Sequence, residues 1–228
     1  TRTAMAERGI DILFVTDPSN QAWLTGYDGW SFYVHQGVIV TLDRDPIWWG
    51  RMMDMFGGRR TCWMSHDNII GYGDHFIQST EFHPMADLAR IIKNMGYETA
   101  RLGVELENYY YSAKAHLVLT SELPKATVID ATALVNWQRL IKSADEIAFI
   151  EKAARISEKV ITTAIDRAAP GVRKNDLVAD IMHAGITGVG DDWGDYPAIV
   201  PLTPSGIDAT AAHLTWDSAP MRADEATF

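Results

Sequence analysis

The sequence predicts a mixed α/β domain over residues 1–137, followed over 138–228 by the first part of an α+β domain. Three observations predict it. Short apolar runs bounded by turn residues alternate with segments of helical periodicity as far as Asn136. The texture then changes to one long amphipathic helix that opens on a capping-box spacing, Ser143 to Glu146. After a second helix, glycine-rich and proline-punctuated segments lead into two strand-like runs.

Taken in order, "TRTAMAERGI" reads as the later part of a helix that ends at Gly9, and it carries no initiator Met. "IDILFVT" (10–16) is a short apolar run stopped by Asp17-Pro18-Ser19, as a buried strand would be. Ser19 or Asn20 caps a short helix through Leu24, which Gly26 ends; Trp23 and Leu24 on it are expected to face the core. "GVIVTL" and "PIWWG" flank the turn "DRD" as a hairpin. "HPMADLARIIKNMG" places Met85, Leu88, Ile91, Ile92 and Met95 on one helical face. "RLGVEL", "SAKAHLVLTSEL" and "ATVID" then read as strand, helix and strand.

In the second part, Ile147, Ile150, Ala154, Ile161 and Ile165 recur on one face of the long helix, and Glu151 and Arg155 stand four apart for a favourable pair. Pro170-Gly171 ends it, and a second helix follows from Asp176 to about Ile186. A strand is expected near "YPAIVPL", and "MRADEATF" reads as the entry into another, so the chain is expected to continue past Phe228.

The net charge of −10 and the absence of any Lys/Arg run argue against a nucleic-acid partner. No apolar run is long enough to span a bilayer, so no membrane partner is expected. One cysteine, Cys62, permits no internal disulfide, which fits a reducing, cytoplasmic setting.

Several segments invite chemistry. "GITGVGDDWGD" follows a helix and lacks a Gly-Lys-Ser ending, so it reads as a loop and not a phosphate cradle. "HDNIIGYGDH" matches no zinc spacing, and His35, His83, His116 and His183 stand isolated. His213 differs: it follows the small residues of "PSGIDATAAHLTWD", where a ligand can approach, and Trp216 and Asp217 stand close behind. An imidazole so placed is suited to general acid–base work; the alternative is a loop histidine of no consequence. In "DPSNQAWLTGYDGWSFYVHQG" (17–37), five rings crowd among aspartates and glycines. They either grip a ligand or pack a half-buried loop and strand, and residue types alone leave both open.

Four segments, in chain order, resemble the creatinase, prolidase and aminopeptidase P family. "DPSNQAWLTGY" is similar to its N-terminal Asp-x-x-Asn-x-x-aromatic-Leu-x-Gly segment, and "WQRLIKSADEIAFIEKAARI" to the junction between its domains. "APGVRKNDL" is similar to the Pro-Gly element after the first long helix, with Arg173-Lys174 where an acidic residue is usual. "AAHLTWD" falls where the family has its pocket histidine, here His213. Within the family, "DPSNQAWLTGYDGWSFYVHQ", "NWQRLIKS" and "GDYPAIVPLTPSGIDATAAHLTWD" resemble the ectoine-hydrolysing branch.

The resemblance implies a creatinase-like N-terminal domain, then the start of a pita-bread catalytic domain, in a homodimer whose N-terminal domain reaches the partner's site. It implies hydrolysis of ectoine, a cyclic amidine bearing a carboxylate, with His213 catalytic and Trp30, Phe32, Tyr33, Tyr196, Trp216 and Asp217 binding substrate. Aromatic faces favour an amidinium by roughly 0.5–2 kcal/mol per contact. The carboxylate and histidine metal ligands of metal-dependent relatives would lie past Phe228; likeness to creatinase favours no metal cofactor. The alternatives are a metal-dependent Xaa-Pro peptidase and a non-catalytic compatible-solute binder.

Overall fold

Strand β1 (Ile12–Val15) is buried at all four positions. Successive side chains of a strand point to opposite faces, so an uninterrupted apolar run needs cover on both. The computed structural model, which describes residues 1–228, supplies that cover. Ile12 and Phe14 face one core with Ile39, Trp49 and Tyr72, and Leu13 and Val15 face the other with Val38, Val40 and Trp48.

The chain forms two compact units, Thr1–Ile141 and Lys142–Phe228. In the first, β1 lies inside a six-stranded sheet of order β4-β3-β2-β1-β5-β6. The expected hairpin is present as β2 (Gly37–Thr41) and β3 (Ile47–Arg51), antiparallel with Val38 opposite Trp48. β4 (Ile69–Tyr72) runs parallel to β3; β5 (Arg101–Val104) and β6 (Thr127–Asp130) extend the sheet parallel beyond β1. β4 comes from the stretch "HDNIIGYGDH", whose polar ends obscure four residues of strand.

Helices cover both faces. On one lie α4 (Pro84–Asn94) and α5 (Ala113–Glu122), which contribute Met85, Leu88, Ile92 and Leu119. The other is covered by residues of α1 (Arg2–Glu7), α3 (Met52–Thr61) and α6 (Leu134–Arg139). Trp48 and Trp49, adjacent in sequence, are both fully buried on opposite faces. Each contributes about 4–6 kcal/mol of apolar burial before entropy is subtracted. α3 and α6 are not evident from sequence: α3 carries two glycines and α6 has only six residues, so neither shows a sustained period.

Helix α2 (Pro18–Thr25) begins two or three residues earlier than a cap at Ser19 or Asn20 would have it. Its cap is Asp17, whose carboxylate accepts from Asn20 N at 2.8 Å, and Gly26 ends it at φ 78°. Leu24 packs against the core, whereas Trp23 is exposed, its ring on the solvent side of the helix.

In the second unit, α7 (Ala144–Arg167) has the predicted capping box: Ser143 Oγ accepts from Glu146 N, and Glu146 Oε2 from Ser143 N. It packs along α8 (Lys174–Thr187). Arg155 pairs with Asp192 and not with Glu151, because the tight turn at Val189–Asp192 brings Asp192 to Lys152 and Arg155 at 2.8 and 3.4 Å. The two expected strands do not form. Residues 197–204 form no regular element, with a bend at Ala198 and Ile199 and Thr203 at φ 50°, and Thr227 makes one isolated bridge to Ser205. An apolar run becomes a strand only where a neighbour takes its backbone groups, and Ile199 here is 77% exposed.

Candidate functional site

The segment in which five rings crowd together, residues 17–37, divides into a packed part and a presented part. Tyr27 is buried against Trp48 with ring centroids 4.5 Å apart, and its hydroxyl shares a 2.6 Å hydrogen bond with Ser31, itself bonded to Gln36. Burial pushes the Tyr27 phenol up to about 12, with Ser31 opposing the shift. Trp30 and Tyr33 are mostly exposed. Trp30 meets Phe32 edge-on at 5.3 Å and Tyr33 at 5.6 Å, and Phe32 meets Tyr110 at 5.7 Å. Three of the predicted binding residues are therefore brought together.

Beneath them lies a cavity of about 740 Å³, lined by Phe32 and Tyr33 but not by Trp30. Its other walls come from Phe76, Phe82, Tyr109 and Tyr110, and its polar groups include His35, Arg51 and His83. His35 and His83 are not isolated: their rings lie 4.8 Å apart. His83 caps α4, its Nδ1 accepting from Met85 N at 3.2 Å, so that nitrogen carries no proton. Burial, then the neighbouring His35 and Lys114, lowers His83 to about 4; burial also lowers His35. Arg51 Nε donates to Asp74 Oδ1 at 2.7 Å, which holds the Asp74 carboxyl below the usual carboxylate range. No local spacing links positions 35, 51 and 83; only the sheet order and the start of α4 bring them together.

The rest of the Asp-Pro-Ser-Asn motif is structural. Glu105 is buried and accepts from Thr16 N, Asp17 N and Asn20 Nδ2 at 2.6–2.8 Å. Asn20 in turn accepts from Arg139 Nη1 at 2.7 Å and donates to Asn136. Burial raises the Glu105 carboxyl, and the amides of Asp17 and Thr16 with Asn20 oppose it.

In the second unit, His213 is exposed on the loop after the 3-10 turn Gly206–Thr210, not enclosed in a cleft. No hydrogen bond from the protein fixes its ring, so either tautomer is open to it. Tyr196 is exposed and Trp216 half-buried. Asp217 already has a partner, the buried Lys174 ammonium at 2.8 Å, whose hydrogen bond holds its carboxyl below the usual range. No group of three or more His, Cys, Asp or Glu side chains here would hold a metal ion. The residues present do not fit a metal centre.

Residues 1–141 match the family model described as the creatinase/prolidase N-terminal domain. The chain belongs to this family. The matched residues coincide with the first compact unit. The chain is 49% identical, over an alignment of 237 residues, to the ectoine hydrolase of Halomonas elongata, covering all of this chain and 58% of that protein. It is 39% identical to an uncharacterized hydrolase/peptidase of Sinorhizobium fredii, over 86% of this chain and 50% of that protein. The chain thus spans between half and three-fifths of the length of these two curated relatives. Prolidase from Thermococcus sibiricus has the same fold, with a TM-score of 0.77 at 17% identity, covering 98% of this chain and 57% of that one. An α/β creatinase-like domain is followed here by the first part of the pita-bread domain of these proteins.

Proposed function

We propose that this chain is part of a hydrolase that opens the cyclic amidine ring of ectoine. The observation that carries the reading is the 49% identity, along the whole chain, to a protein named for that activity. In this reading water adds to the amidine carbon between the two ring nitrogens. One C–N bond breaks, and the departing nitrogen takes a proton, leaving an N-acetylated 2,4-diaminobutyrate. His213 handles that proton, since an imidazole can both accept and donate one. Phe32 and Tyr33, with Trp30 packed behind them, present aromatic faces to the amidinium.

The reading includes a homodimer in which these rings serve the partner's site, and no metal ion. Asp217 acts through Lys174, setting the loop that carries Trp216, and does not itself touch substrate.

The test is to incubate the complete polypeptide that carries this chain with ectoine, before and after dialysis against a chelator, and follow the ring protons by NMR. Consumption in both samples is expected. Cleavage of Xaa-Pro dipeptides that chelation abolishes, with ectoine untouched, would replace this reading with the peptidase.

A further inference from the structure

We infer that the cavity of the first unit is a binding site for a compact carboxylate with a flat body, held by Arg51 among aromatic rings. Three features carry this. Its volume, about 740 Å³, lies within the ~300–1,000 Å³ of small-molecule pockets. In a chain of net charge −10, its lining includes Arg51 and no Asp or Glu. Its polar groups also point to an acceptor-rich guest: His83 accepts from Met85 N through Nδ1, so the neutral ring presents Nε2–H as a donor.

Arg51 has capacity to spare. A guanidinium has five N–H donors; Asp74 takes the one on Nε at 2.7 Å, and the Tyr33 hydroxyl, on the same cavity wall, also interacts with the group. The two terminal nitrogens present the forked edge that suits a carboxylate. Phe32, Phe76 and Phe82 provide the faces for a flat body. Ectoine, a planar amidinium bearing one carboxylate, fits both demands. Naming it as the occupant rests on the proposed function; the carboxylate class does not. Arg51 thereby joins Phe32 and Tyr33 as a ligand-binding residue, and Trp30, outside the cavity, positions Phe32.

The test titrates the chain with ectoine and with its carboxamide, following intrinsic fluorescence, in wild type, Arg51→Gln and Arg51→Lys. Wild type should bind ectoine at least tenfold more tightly than the amide. Arg51→Gln should lose that discrimination, binding both equally, and Arg51→Lys should restore part of it. A protein that merely misfolds would not selectively lose preference for the acid. Equal binding of acid and amide by wild type, discrimination that survives Arg51→Gln, or no saturable ectoine signal would each overturn the inference. Turnover measured on the complete polypeptide separates the two readings. Ectoine hydrolysis with a KM that Arg51→Gln leaves unchanged overturns the cavity alone. Arg51-dependent carboxylate binding without ectoine turnover overturns the proposed function alone.

Discussion

Asn20 Nδ2 and Glu105 Oε1 lie 2.7 Å apart although 85 residues separate them in the chain. That bond ties the start of α2 to the end of β5. Beside it, the same carboxylate accepts the amides of Thr16 and Asp17, where β1 gives way to α2. The segment that carries the exposed rings is therefore anchored at its root by a buried charge.

Removing that charge should be costly. Glu105→Ala leaves two buried amides and Asn20 without their acceptor, and we expect a loss of about 2–4 kcal/mol in urea unfolding. Glu105→Gln keeps an acceptor oxygen and should lose less. Equal losses in the two variants would mean that volume, not hydrogen bonding, sets the cost.

The His35–His83 pair makes a pH prediction. His83 is lowered to about 4 in the folded protein from an ordinary value of 6.5. Between those values the unfolded chain binds the proton and the folded one does not, so stability must fall as pH drops through this window. Protonation would also put a donor where Nδ1 now accepts from the N-terminus of α4. His83→Asn keeps a cap and carries no titrating group, so its unfolding temperature should depend less on pH between 4 and 6.5. An unchanged slope would place the effect elsewhere.

Asp217 separates a structural role from a binding role. Asp217→Ala strands the buried Lys174 ammonium and should lower the unfolding temperature. The paired variant Lys174→Met with Asp217→Ala should recover much of it. A single variant that weakens substrate binding with no change in unfolding would restore Asp217 as a direct ligand.

Trp30 is 62% exposed, so Trp30→Ala should fold normally. If its cluster serves the partner's site, mixing Trp30→Ala with His213→Ala subunits of the complete protein should restore activity, because one site of each mixed dimer is intact. Verified mixed dimers with no recovery would return the cluster to its own subunit.

The sheet was legible where periodicity is strong. β1, the β2–β3 hairpin, α4 and α7 all follow from apolar spacing and capping residues. Trp23 was not, since a helix of eight residues does not reveal which face is inward. The strands expected near Ala198 and Thr227 failed because a strand is completed by its neighbours. The cavity was illegible for a related reason: Arg51 and His83 become neighbours only through sheet order and helix placement. Aromatic crowding in residues 17–37 pointed to one wall of it, and nothing local pointed to the other.

The most direct test of the central claim is mass spectrometry of the product formed by the complete polypeptide from ectoine in heavy-oxygen water. Hydrolytic ring opening predicts an N-acetylated diaminobutyrate that has gained one heavy oxygen in its new carbonyl. His213→Ala should slow its formation by roughly 10²–10⁴-fold, the range of a lost proton-transfer group. Unlabelled product, ectoine left intact, or undiminished turnover by the His213 variant would contradict it.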